Sequence, residues 1–321
     1  MTVLCSGIIN SQTTTPANQS LSGTQTGYNE YEALNSIQST QVINSGTTTY
    51  TAGNEIVLKP GFHAKPGSKF EAVIDDVSNR LTIMTYNLWS NDKISEHAEV
   101  ITKSGADIIA IQEMRKTPNF NSLKNKTGLN GEFYVLKGGG WAIFEWMIPD
   151  YGIALLWKPT LGTPIIHKKY IDIPGGGSDN DSRRGYIIAE FNDYCFISTH
   201  YSLNPEQRIE MTNKILNETI VQSYKNSGKP VYIGGDFNEQ PHEPAISMFT
   251  NPSNGFEVLN DTFSPTHATF GGKYIDLILE HNTNPNRAVI DRGIPSCIPW
   301  PTGWITVVSD HYPYYVKVKF K

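Results

Sequence analysis

A short β-rich run, Lys229-Pro-Val-Tyr-Ile-Gly-Gly-Asp-Phe-Asn238, ends in an aspartate and an asparagine one pleat apart. Alternation along a strand sends residues i and i+2 out on the same face, so Asp236 and Asn238 are expected to point to one place. A carboxylate and an amide converging there suit a cation, an attacking water or an oxyanion. Gly234 and Gly235, just before them, read as room for a tight turn or for close approach of a ligand. The same residues also fit an Asp/Asn turn closed on its own backbone, and this stretch alone does not choose between the two.

Other apolar strands finish in the same way. Leu81–Asn87 closes on an amide, Asp107–Glu113 on a carboxylate and Tyr194–His200 on an imidazole. Asp276 sits in a strand at 274–280, and Asp310 and His311 directly precede a last strand at 313–320. Rigid strand ends beneath loops are where α/β scaffolds hold reactive groups.

The elements that must position these groups follow from periodicity. Ile94 to Ser104 reads as a helix. Pro205 opens a long helix to about Tyr224, with Ile209, Ile215, Leu216 and Ile220 on its apolar face. Strands are expected at 151–158, at 185–191 and, antiparallel to the latter, at 194–200. Antiparallel neighbours mixed with crossovers predict an α/β four-layer sandwich over residues 80–321, two packed mixed sheets with helices outside.

The first part of the chain differs. Residues 1–30, rich in Ser, Thr, Gln and Asn without periodicity, read as a solvated lead-in. Residues 31–77 read as a small all-β module with Pro-Gly turns, in which Phe70, Ala72 and Ile74 share a face. Asp75–Asn79 reads as a polar linker. The string Ala52-Gly-Asn-Glu-Ile-Val-Leu-Lys-Pro-Gly-Phe-His-Ala-Lys-Pro-Gly-Ser-Lys-Phe-Glu-Ala72 resembles the coathanger-stack modules of exported Bacteroidetes-type proteins. That resemblance implies an accessory domain and a secreted, periplasmic or cell-surface location, although Met1–Ile9 lacks the basic start of a signal peptide.

Composition sets outer bounds. The 321 residues are 38% hydrophobic and 18% charged, as in a soluble globular protein. A net charge of -5 provides no overall basic field for nucleic acid, though a bound cation can supply local positive charge. No apolar run approaches the ~20 residues of a membrane span. Three cysteines without C-x-x-C spacing speak against a cysteine zinc site and a disulfide framework, and Cys195 reads as a buried thiol.

Taken in chain order, Thr85-Tyr-Asn-Leu, Ile111-Gln-Glu, Ser198-Thr-His, Gly235-Asp-Phe-Asn, Tyr274-Ile-Asp and Ser309-Asp-His resemble the successive motifs of the endonuclease/exonuclease/phosphatase superfamily. The resemblance covers about residues 80–321 and implies phosphoester hydrolysis by metal-assisted, in-line attack of water, with Mg²⁺ (or Mn²⁺ or Ca²⁺) as cofactor. It implies Glu113 and Asn87 as metal ligands, with Asp310 supporting the ion directly or through water. His311 is implied as general base with Asp276 fixing its tautomer. Asp236 would orient or deprotonate the water, while Asn238 and His200 would donate to phosphate oxygens. Whether Asp236 or His311 is the main base stays open. Arg184 stands where relatives often carry a phosphate-contacting arginine, and His267 precedes the Asp276 strand as a further substrate contact.

Substrate choice rests on two aromatic stretches, Trp141–Pro149 and Ile294–Trp304. Both fit ordinary core, but Pro and Gly punctuation also suits the second to a projecting loop carrying Trp300 and Trp304. Bacterial sphingomyelinases hold an aromatic hairpin at a similar position. Few lysines lie near the motifs. The expected substrate is therefore a phospholipid phosphodiester, with peripheral membrane-surface contact by a monomer. Nucleic acid comes second and small phosphomonoesters third. An inactive relative kept for binding is the non-enzyme alternative.

Overall fold

A computed structural model describes residues 15–89, 92–136, 151–172, 183–261, 272–295 and 308–319. The chain first winds through three coils. Strands β1 (Asn18–Leu21), β2 (Thr24–Gln25) and β3 (Tyr28–Ala33) make one coil, and β4 (Ser36–Ser39), β5 (Val42–Ile43) and β6 (Gly46–Ala52) the next. Strands β7 (Glu55–Leu58), β8 (His63–Ala64) and β9 (Ser68–Ile74) complete the third. Each strand pairs in parallel with its counterpart one coil away, giving the sheets β1-β4-β7, β2-β5-β8 and β3-β6-β9. Tyr50 fills the centre, in edge contact with Tyr31, Phe62 and Phe70. Its hydroxyl is satisfied there by Ser39 and Gln41, as a buried polar group requires.

Residues 18–30 are therefore not a solvated lead-in but most of the first coil. The first coil buries only a few side chains, Leu21, Asn29, Tyr31 and Ala33, among exposed Ser and Thr residues, so a short window sees polarity alone. Phe70 packs on the module core, but Ile74 is 56% exposed and Ala72 is exposed too. The face expected to be shared is thus only partly buried.

From Arg80 the chain folds as β10 (Arg80–Asn87), α1 (Ile94–Ser104), β11 (Ile108–Arg115), α2 (Thr117–Thr127), β12 (Asn130–Val135) and β13 (Tyr151–Trp157). Then follow β14 (Ile165–Asp172), β15 (Arg183–Glu190), β16 (Cys195–His200), α3 (Pro205–Leu216), α4 (Thr219–Asn226) and β17 (Val231–Asp236). The remaining elements are α5 (Pro244–Thr250), β18 (Phe256–Val258), β19 (Asp276–His281), β20 (Ala288–Gly293) and β21 (Tyr314–Lys319). They form two six-stranded mixed sheets, β12-β13-β11-β10-β21-β20 and β14-β15-β16-β17-β19-β18.

The two sheets repeat one design. In the first, β10 and β11 are parallel neighbours joined through α1, and β12 and β13 extend the sheet beyond β11. In the second, β16 and β17 are parallel neighbours joined through α3 and α4, and β18 and β19 extend it beyond β17. A parallel pair needs such a crossover, because no tight hairpin can return the chain to the same end.

Apolar side chains such as Ile83, Ala110, Leu155, Ile187, Phe196 and Ile278 fill the space between the sheets. Helices α1 and α2 cover the outer face of the first sheet, and α3 to α5 that of the second. These are the four layers expected. Cys195 is a buried free thiol.

Two local expectations change. The helix predicted to run from Pro205 to about Tyr224 breaks after Leu216. Its start is capped by Asn204, whose side chain accepts from Glu206 N and Gln207 N. Its end is closed by Asn217, which donates to Asn213 O, and by Gln222, which donates to Leu216 O. Gly234 and Gly235 form no turn; both lie inside β17. A Cβ at 234 would sit 3.0 Å from Ala110 Cβ of the facing sheet, and one at 235 would sit 2.5 Å from Thr199 O. Their smallness serves packing of strands and sheets.

The segment read as a linker is pinned rather than free. Arg80 pairs with Glu32 and Asp75 at 2.6 Å, Lys317 pairs with Glu32 at 3.1 Å, and Lys319 pairs with Asp75. Strands β10 and β21, whose far ends lead to Asn87 and His311, are thus anchored to the β module at their near ends.

Candidate active site

Because β10, β11, β16 and β17 run the same way relative to the crossovers, Asn87, Glu113, His200 and Asp236 all finish at one edge of the sandwich. The antiparallel strands β13 and β19 begin at that edge with Tyr151 and Asp276. In the second sheet the register sets His200 opposite Asp236 and Asp236 opposite Asp276, one row across three strands. Neighbours in such a row share a face. In the first sheet Asn87 lies opposite Gln112, and Arg115 opposite Tyr151. The loop before β21 is fastened by Ser309 Oγ, which donates to Asn87 O at 2.8 Å and accepts from His311 N at 3.1 Å.

The side chains of the two sheets meet. Asn87 Nδ2 donates to Glu113 Oε1 at 3.1 Å and to Asp236 Oδ2 at 3.0 Å. Asn87 Oδ1 accepts from Trp89 N at 2.9 Å. Asp276 Oδ2 lies 2.7 Å from His311 Nδ1, which leaves Nε2 of that ring 3.8 Å from Asp236 Oδ2 and 4.0 Å from Asp310 Oδ1. Asn238 N donates to Asp236 Oδ1 at 2.8 Å, while Asn238 Nδ2 donates to Tyr201 O at 3.0 Å and lies 3.4 Å from His200 Nε2. The self-bonded turn and the convergent pair are therefore one arrangement, not alternatives.

Burial tunes these groups. Desolvation and the neighbouring Asp276 raise Asp236 to about 7, against the pull of His311. Burial works against charge on His311, but Asp276, Asp236 and Asp310 outweigh it and raise the imidazole to about 10. His200 is held well below its ordinary value by burial, Arg184 and His311, so it is neutral at pH 7.

Of the remaining expected contacts, Arg184 is buried at 5% exposure and bonds Tyr151. His267, Trp300, Trp304 and the stretch 141–149 lie outside the described residues. Tyr151 was missed by the sequence reading. Its hydroxyl lies 3.5 Å from His200 Nδ1. It opens its strand instead of closing it, and a search for polar strand ends passes over it. The repeated design of the sheets supplies the missing signal, since Tyr151 opens β13 as Asp276 opens β19.

The donor set fits a hard cation. Asp310 Oδ1 is buried and has no hydrogen bond among the described residues. Burial raises the Asp310 carboxyl, His311 opposes that, and nearby Glu113 raises it further. Two crowded carboxylates, one with an unmatched oxygen, are stabilised by a divalent ion with oxygen preference. Asp236, Asp276 and His311 also bring ligand atoms within 4.8 Å of one another, but there Asp276 Oδ2 and His311 Nδ1 already occupy each other. Asn87 turns its amide nitrogen, not its oxygen, towards Glu113 and Asp236, so it links the carboxylates as a donor here.

A four-layer sandwich with acid, amide and imidazole groups gathered at one edge defines a hydrolase scaffold. A family model described as the Endonuclease/Exonuclease/phosphatase family matches residues 84–311. The chain belongs to that family, whose members hydrolyse phosphoesters and generally use divalent metals. Solved structures share the fold. An endonuclease/exonuclease/phosphatase from Bacteroides vulgatus is 17% identical with a TM-score of 0.58, covering 75% of this chain and 99% of its own. The Bacteroides thetaiotaomicron mannosyl-6-phosphatase Bt3783 is 17% identical with a TM-score of 0.57, covering 75% and 100%. D. rerio TDP2 complexed with a single strand DNA product is 14% identical with a TM-score of 0.55, covering 75% and 99%. A comparison with curated proteins gives no match.

Proposed function

We propose that this chain is a divalent-metal-dependent phosphodiesterase in which Asp236 and His311 handle the proton of the attacking water. The observation that carries the reading is the meeting of Asp236 from one sheet with the His311–Asp276 pair that spans both sheets. A Mg²⁺-type ion would be held by Glu113 and Asp310, beside the Asn87 amide that links Glu113 to Asp236, and would supply charge for the phosphate oxygens and acidify water. Asp236, raised towards neutrality, is the proton acceptor at Oδ2. His311 carries two protons, gives Nδ1–H to Asp276, and presents Nε2–H to the phosphate. This choice assigns the base role to Asp236 and the donor role to His311.

Asn238 Nδ2, neutral His200 and Arg184 complete the donor wall for the negative oxygens, a preorganised arrangement that needs no reorientation during attack. The reaction is direct in-line attack of water without a covalent enzyme intermediate. Phosphodiesters are the favoured class, with phospholipid head groups and nucleic acid as the two arms to test. The related structures include a sugar phosphatase and an enzyme bound to a DNA product. We also propose an extracytoplasmic location, supported by the resemblance of the β module.

The test is hydrolysis in Mg²⁺ of sphingomyelin-containing liposomes and of plasmid DNA, with EDTA-treated and His311→Ala protein alongside. Turnover of either substrate, lost in both controls, is expected. Turnover that survives EDTA or His311→Ala overturns the mechanism.

A further inference from the structure

The contact between the β module and the sandwich is clasped but not filled. At the near ends of β10 and β21, opposite the active-site edge, a cavity of about 510 Å³ lies between the two parts. Strand β3 and the turn after it line the cavity from the module, and the near ends of β10, α1, β11, β13 and β21 line it from the sandwich. Its size is that of a small-molecule site, and such sites favour domain interfaces. A joint that served attachment alone would be closed by packed side chains, as the interior of each part is.

Charge in the cavity is balanced. Among the described residues its walls hold three carboxylates, Glu30, Glu32 and Asp107, and three cations, Arg80, Lys158 and Lys317. Every cation is answered: Arg80 and Lys317 by Glu32 at 2.6 and 3.1 Å, and Lys158 by Asp107 at 2.6 Å. A free anion or a metal ion thus meets no uncompensated charge. Hydrogen-bonding capacity is left over, however. Both partners of Glu32 bind Oε1, and no hydrogen bond among the described residues reaches Oε2. Lys158 Nζ gives two of its three protons, to Asp107 Oδ1 and Gly105 O. The side chains of Glu32 and Lys158 are 26% and 18% exposed, so both can be reached. Leu34, which is 39% exposed, and Leu161 add apolar surface to the same walls.

We propose that this cavity binds a neutral mono- or disaccharide at the joint between the β module and the sandwich. A sugar hydroxyl both donates and accepts. One hydroxyl can therefore donate to Glu32 Oε2 and another accept from Lys158, while the C–H face of the ring rests on Leu34 and Leu161. Hydrogen bonds to charged partners are the stronger kind, and no ion pair has to break to make them. The site is separate from the phosphoester chemistry and stands or falls without it. A chain so equipped attaches to glycan at its β-module end and leaves the opposite, active-site edge open.

Titration calorimetry of the full chain with cellobiose, maltose, lactose, mannobiose and N,N′-diacetylchitobiose tests this, with inorganic phosphate and putrescine as charged controls. At least one sugar is expected to bind a single site with a Kd of about 1 mM or tighter. At about ten times its Kd that sugar should raise Tm by about 2–4 °C. Thr160→Trp puts a bulky ring on an exposed lining residue outside the ion pairs and should abolish the heat of binding. Glu32→Gln should weaken the same sugar by about tenfold. The proposal is overturned if every sugar fails to bind below about 10 mM, or if phosphate or putrescine binds in their place. Sugar binding that either variant leaves intact overturns it as well, since the sugar then sits elsewhere.

Discussion

Asp276 and His311 come from different sheets, and a 2.7 Å contact between Oδ2 and Nδ1 joins them. Asp276 opens β19, while His311 precedes β21, so the pair exists only when both sheets close on each other. Removing the Asp276 charge takes away support for the imidazolium and also repulsion from Asp236, which lowers both groups. In a bell-shaped profile of kcat/KM, Asp276→Asn should therefore move the acid and the alkaline limb to lower pH. Its rate should fall by about 10²–10⁴. Full pH–rate profiles of both proteins check this, and limbs that stay in place would show that Asp276 does not set the charge of the pair.

Glu113 meets Asp310 electrostatically and Asn87 by a hydrogen bond. Treatment with EDTA should abolish turnover, and Mg²⁺ should restore it. Glu113→Gln should raise the Mg²⁺ concentration for half-activation by about 10–100-fold. Titration calorimetry on the same variant gives an independent reading of affinity. An unchanged activation curve removes Glu113 from the metal site.

His97 faces α1's packing side with Nδ1 2.8 Å from the Tyr86 hydroxyl, and burial lowers it to about 3. The folded state keeps this imidazole neutral, whereas the unfolded chain binds a proton below about pH 6.5. Between these values the unfolded state holds more protons, so stability is intact above pH 6.5 and is lost as pH falls towards 3. His97→Gln should flatten the loss by up to about 1.4 kcal/mol per pH unit in that window. Urea unfolding at pH 7, 6, 5 and 4 measures it. Parallel slopes for both proteins would place the acid sensitivity elsewhere.

Glu32 joins the β module to Arg80 and Lys317. Burial raises its carboxyl, but the two cations outweigh that and lower it. Glu32→Gln leaves both cations short of a partner and should cost about 1–3 kcal/mol, given the partial exposure of the network. Glu30→Gln, at a more exposed carboxylate 3.5 Å from Lys317, should cost less. Thermal unfolding of the two variants ranks them. Equal and negligible shifts would mean that the module rides on the catalytic sheet without stabilising it.

The sequence by itself determined which polar residues close the apolar strands. Short, mostly apolar runs ending at Asn87, Glu113, His200 and Asp236 are local features, buried on both faces, and the four-layer architecture follows from strands separated by amphipathic helices. Only the tertiary structure decided how those ends meet. Asp236 touches Asn87 across the two sheets, and no window of sequence contains both. Tyr151 enters the site because β13 runs antiparallel to β11, and Arg115 shares its face because a bulge shifts the register between Ile111 and Met114. The first coil of the β module was hidden for a related reason. Its core is a stack of single side chains one coil apart, at Tyr31 and Tyr50 for example, and it exists only when successive coils lie on one another.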